Sequence, residues 1–268
     1  MCRIRLFRIV LLTFICITFP VQSVSAKPSN KLSTHPEPDY SNGDSLVYAA
    51  NQGNSEAQYL LGLLYRNITP PDNNMAFSWL LKSAENGHAP AQFFMGALYH
   101  YGEDTPRNFK MAFNWYKKAA IQGDASAADN LGVFYLGGLG VEKNCQLAIE
   151  WFETAAEWGY PTSASNLVWT LATCPDAQYR DGHKAVKLAL SIIKNTKNPD
   201  APHFDNLAAA YAETGNFEDA IKSQENAIEL LQAQNGDPVR LLKYHFRLEN
   251  YKNDKPTRGV PSSDPLLY

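Results

Sequence analysis

Apolar residues in the middle of this chain recur with the spacing of a helix, and blocks of them recur at a longer period. Leu61, Gly62 and Tyr65 fall at i, i+1 and i+4, and Ala76, Trp79 and Ala84 fall within one apolar stripe, so each stretch predicts an amphipathic helix. The same pair of stretches then returns twice. Trp79, Trp115 and Trp151 stand 36 residues apart, and the sets Gly87, Gly123, Gly159 and Ala84, Ala120, Ala156 keep that interval. Gly62, Gly96 and Gly132 open the copies; their first interval is 34, so one internal loop is two residues shorter. Self-similarity at such a period predicts an all-α array of stacked helix pairs. In that array the small residues let two backbones approach, and a Trp or Tyr of the partner helix fills the groove. The tryptophans belong to the core, and Gly87, Gly123 and Gly159 supply the left-handed residue that ends each second helix.

The two ends of the chain follow different patterns. Arg3, Arg5 and Arg8 precede an eleven-residue, largely apolar run, Ile9 to Phe19, and Val24-Ser25-Ala26 closes the segment. That order predicts a signal peptide at 1–26, cleaved after Ala26; the run is shorter than the roughly 20 residues needed to span a bilayer. Export to the periplasm or the medium follows, with no integral membrane segment after cleavage. Residues 27–43 are rich in Pro, Ser and Asn and read as a flexible linker, and 253–268, with three prolines, as a disordered tail. Asp44 to Gly53 reads as a capping half-repeat ahead of three full copies, the whole spanning 44–160.

Charge and composition narrow the function classes. The formal net charge is −3, and loss of Arg3, Arg5 and Arg8 with no acid takes it to −6, which gives no electrostatic reason to seek nucleic acid. No nucleotide-binding, zinc-hydrolase, nucleophile-elbow or CxxC motif occurs, so no cofactor is expected. His35, His88, His100, His183, His203 and His245 include no i, i+4 pair, so no metal is expected either. Ser191 and Lys194 match S-x-x-K without its companion motifs, so no catalytic residue is assigned.

The copies AQYLLGLLY, AQFFMGALY and ADNLGVFY, followed by MAFSWLLKSAENG, MAFNWYKKAAIQG and LAIEWFETAAEWG, resemble Sel-1-like repeats. Downstream, Leu207, Ala208, Tyr211, Gly215, Ala220 and Ala227 fit the 34-residue tetratricopeptide spacing, so 161–252 resembles a tetratricopeptide module with a C-terminal capping helix. Together the resemblances imply a right-handed αα superhelix. Cys145 and Cys174 are equidistant from the Gly159-Tyr160 turn, so a helical hairpin sets them at one level, and an oxidising compartment would favour a disulfide. The alternative is two separate buried thiols, since the resembled module carries LATCPD without a partner cysteine.

The resemblance also implies where a ligand would sit, on the concave face lined by the first helix of each pair. The positions carried over include Tyr59, Leu63, Arg66, Phe93, His100, Tyr101 and Trp169, with Asp129, Asp205 and Glu213 in the same set. The implied function is a non-enzymatic scaffold or adaptor of the bacterial cell envelope, holding a protein or peptide partner, with envelope-assembly machinery among the partners implied. Its rivals are an envelope enzyme of the penicillin-binding or β-lactamase type and a structural spacer without a ligand.

Overall fold

The computed structural model describes residues 43–259, so the expected signal peptide, most of the expected linker and residues 260–268 lie outside the described part. Helix α1 (Gly43–Asn51) precedes three pairs: α2 (Ser55–Asn67) with α3 (Asn73–Glu85), α4 (Ala89–Tyr101) with α5 (Phe109–Ile121), and α6 (Ala125–Gly137) with α7 (Cys145–Glu157). Two further pairs follow, α8 (Ser163–Thr173) with α9 (Gly182–Asn195) and α10 (Ala201–Glu213) with α11 (Phe217–Ala233), and α12 (Pro238–Lys252) comes last. A 3-10 turn, Ala177–Tyr179, joins α8 to α9, and no strand occurs among the described residues. Each helix packs on the next in sequence, giving an all-α solenoid of helix pairs.

Local chemistry explains the boundaries. Asp72, Asn108 and Asn144, again 36 residues apart, cap α3, α5 and α7, each side chain accepting from the backbone N–H three residues on. At the other end Gly87, Gly123 and Gly159 hold φ of +89°, +93° and +86°, as the repeat pattern predicts. The first helices end less uniformly. α4 and α6 stop at left-handed Gly102 and Gly138, whereas α2 stops at extended Ile68, because the first copy has no glycine in its loop.

The core runs from pair to pair, and its filling differs in one respect from the sequence expectation. Trp79 and Trp115 are buried, while Trp151 is half-buried. The grooves at Gly62, Gly96 and Gly132, however, are filled not by these tryptophans but by the residue after each: Leu80, Tyr116 and Phe152, all at most 1% exposed. A Cβ added at those glycines would lie 2.7 Å from Leu80 Cγ, 2.6 Å from Tyr116 Cδ1 and 2.5 Å from Phe152 Cε1. The indoles instead join the core against the preceding helices, Trp79 with Leu46, Ala50 and Leu61 and Trp115 with Leu80, Met95 and Leu98, while Lys82 Nζ sits 4.1 Å above the Trp79 ring and Lys118 Nζ 3.9 Å above Trp115. A Gly132→Ala substitution forces the Phe152 ring aside and should cost about 1–3 kcal/mol. Urea unfolding checks this, and a change within about 0.5 kcal/mol, the range of an ordinary surface substitution, would contradict the tight approach.

Candidate ligand-binding face

The carried-over positions divide by depth. Tyr59, Leu63, Arg66 and Phe93 are half-buried, and Tyr101 is 53% exposed. His100 and Trp169 are withdrawn from the surface at 2% and 1% exposure, so neither can be a contact residue in this conformation. His100 is enclosed by rings from two pairs: Phe134 lies 4.8 Å away, Phe109 5.8 Å and Tyr116 6.1 Å, with Nδ1 3.3 Å from the Tyr116 hydroxyl. Trp169 is covered by Arg247, whose guanidinium stands 5.4 Å from the ring centroid, and by residues past α12.

What remains at the surface is built on those buried groups. Tyr101 stacks on His100 with centroids 4.6 Å apart and planes 22° apart, so an exposed ring is held flat by a buried one. Arg66 bridges two copies, with Nη2 2.8 Å from Glu103 Oε2 and Nη1 2.6 Å from Asp104 Oδ2, and its guanidinium lies 5.3 Å from the Phe94 centroid. Tyr59 packs against His88 at 4.9 Å; burial, opposed by the charge of Glu56, lowers the His88 pKa, and burial raises that of the Tyr59 phenol. The α2–α4 surface is thus aromatic, with Arg66 committed to ordering the loop after α4.

The acidic positions of the set are also committed. Asp129 on α6 is 7% exposed and accepts from Ser163 Oγ at 2.7 Å and Asn166 Nδ2 at 3.0 Å, tying the third pair to α8. Burial raises its pKa, and the two hydrogen bonds oppose that rise without cancelling it. A carboxyl whose folded pKa is raised contributes stability that is full below the unfolded value, about 3.9, and is lost as pH rises through the folded pKa. Asp129→Asn keeps an acceptor oxygen and removes the charge, so its stability relative to wild type should improve from about pH 4 to pH 7. Equal differences at both pH values in urea unfolding would contradict this.

Asp205 is fully buried on α10 and receives Arg247 from α12 in a two-bond fork, Nε to Oδ1 at 2.8 Å and Nη2 to Oδ2 at 3.0 Å. Glu213, at the end of α10, is held by Arg180 Nε at 2.7 Å and approached by Arg258 Nη1 at 2.8 Å. The expected tail is not wholly free: Thr257 to Gly259 return to the array, Gly259 bonding to α8. The family resemblance carried over Asp205 and Glu213 but gave no sign of the arginines that hold them.

Of the two alternatives for the cysteines, the structure has the disulfide: Cys145 opens α7, Cys174 follows α8, and their Cα atoms are 6.3 Å apart. Among the described residues no cluster of three metal-ligating side chains occurs, and no helix is long and apolar enough to cross a membrane. Ser191 and Lys194 are both solvent-exposed on α9, with the Ser191 hydroxyl 3.4 Å from the Asn195 amide.

Comparison with known proteins places these features. Residues 55–88, 89–124 and 125–160 match the Sel1 repeat, one match per helix pair from α2 to α7. A Sel1 repeat protein from Oxalobacter formigenes is 33% identical over 46% of this chain and 95% of its own, with a TM-score of 0.45. A protective antigen present in uropathogenic Escherichia coli strains, displaying an SLR fold, is 22% identical over 79% of this chain and 57% of its own, with a TM-score of 0.45. Cysteine-rich protein B of Helicobacter pylori is 24% identical over 44% of this chain and 91% of its own, with a TM-score of 0.37. No curated protein matches the chain.

Proposed function

The chain belongs to the Sel1-repeat family, and from that premise we propose that it is a non-enzymatic adaptor of the bacterial cell envelope that holds an extended protein segment on the α2–α4 face. Sel1 repeats are a protein-interaction scaffold type, and this reading adds the location, the face and the kind of ligand. The observation that carries it is Tyr101: a ring 53% exposed, yet fixed by its stack on buried His100. Such a ring offers contact area while losing little conformational freedom on binding. Half-buried Tyr59, Leu63 and Phe93 extend the apolar surface on the same two helices. Export rests on the predicted signal peptide at 1–26, with 27–43 as linker, and the disulfide suits an oxidising compartment. The tetratricopeptide reading of 161–252 would lengthen the array beyond the Sel1 copies.

Site-specific photo-crosslinking tests the face. A benzophenone amino acid at position 101 should give a discrete adduct with a partner in envelope extract of the source organism. The same group at position 121, where Ile121 is 65% exposed at the end of a second helix, should give none. Equal labelling from both positions, or none from 101, would remove the assignment.

A further inference from the structure

The stretch Pro256–Gly259 lies across α8, α10 and α12 as a strap. Gly259 uses both of its backbone polar groups: its N–H donates to the Thr173 carbonyl at 3.1 Å, and its carbonyl accepts from Trp169 Nε1 at 2.9 Å and Thr173 Oγ1 at 3.0 Å. Arg258 Nη1 reaches Glu213 Oε2 at 2.8 Å, and Thr257 Oγ1 donates to the Tyr251 hydroxyl at 2.9 Å. The receiving groups are sunk in the array, with Trp169 1% and Thr173 0% exposed and the Glu213 side chain 14% exposed. Beside the strap a cavity of 580 Å³ continues along α12 past Asn250 to Leu242 and Phe246, which stand 71% and 67% exposed.

Bonds to both backbone groups of one residue, with the second oxygen of a carboxylate that Arg180 already holds meeting the basic side chain before it, are the means by which a groove holds an extended segment. Gly259 sits at φ +125°, a conformation that glycine adopts at little cost and other residues rarely do. The segment that fits therefore reads arginine followed by glycine. The strap also leaves Leu242 and Phe246 uncovered, so a longer ligand entering the cavity would gain contacts that the strap does not make.

We propose that the groove across α8, α10 and α12 binds an extended peptide of a partner protein carrying an arginine followed by a glycine, and that Thr257-Arg258-Gly259 is the chain's own competitor for it. This goes beyond the α2–α4 face and does not rest on it, since the two surfaces share no residue. The apparent affinity for such a peptide is lowered by the fraction of molecules in which the strap is closed.

The probe is a fluorescein-labelled, C-terminally amidated peptide with the sequence of residues 254–259, followed by anisotropy against the full chain and two variants. Arg258→Glu removes the attraction to Glu213, and Gly259→Pro lacks the N–H and cannot adopt the observed φ; both lie beyond the last helix, so the helical circular dichroism is retained. Both variants should bind the peptide about tenfold or more tighter than wild type. Adding Glu213→Gln to Arg258→Glu should abolish the gain, as should glutamate for arginine in the peptide. The Trp169 indole N–H resonance should move in both variants and return on saturation with peptide. Equal binding by all three chains, no binding by any, or an unmoved indole resonance would overturn the proposal, whatever the crosslink from position 101 shows.

Discussion

Replacing Arg247 by methionine is expected to destabilise the fold by about 3–5 kcal/mol, the cost of removing the guanidinium fork from a buried carboxylate. Asp205 is fully buried and the Arg247 side chain is 8% exposed, so water replaces little of the lost fork. The guanidinium also covers two rings, at 5.4 Å from the Trp169 centroid and 5.0 Å from that of Tyr244, and methionine fills only part of that volume. Urea unfolding measures the loss, and a cost under about 1 kcal/mol would show that the pair is solvated. Changing Asp205→Leu as well should recover much of the stability, because an apolar pair of similar volume removes the buried charge.

The second large effect concerns the disulfide. Cys145 and Cys174 are 29 residues apart, and on the chain-entropy account closing a loop of that size stabilises by about 3–4 kcal/mol. The double variant Cys145→Ala, Cys174→Ala should lose most of that, and reductant should lower the unfolding midpoint of wild type but leave the variant unchanged. A wild-type midpoint indifferent to reductant would contradict the contribution. The bridge also fixes the end of α8, where Thr173 offers its carbonyl to Gly259, so its removal should loosen the strap as well.

How much of this was legible depended on the range of each interaction. The left-handed glycines at 87, 123 and 159 answer to purely local geometry, and the repeat displayed them openly. The capping set Asp72, Asn108 and Asn144 follows the same interval but alternates between two residue types, so a search for identical residues passes over it. Leu80, Tyr116 and Phe152 differ still more; what they share is the volume that meets a missing Cβ, and only packing shows that. The family resemblance carried His100 and Trp169 over as ligand contacts, and burial withdraws both. Phe134 of the next pair covers the first, and Gly259, 90 residues downstream, receives the indole N–H of the second. The Asp205 to Arg247 fork spans 42 residues and leaves no periodic trace.

On the proposed assignment the first helices α2 and α4 present the ligand face, and α3 and α5 do not contact the ligand. Amide hydrogen exchange of the full chain, with and without the partner captured from position 101, tests it directly. Partner-dependent protection should concentrate in α2 and α4, with α3 and α5 unchanged; protection confined to α3 and α5 would rule the assignment out.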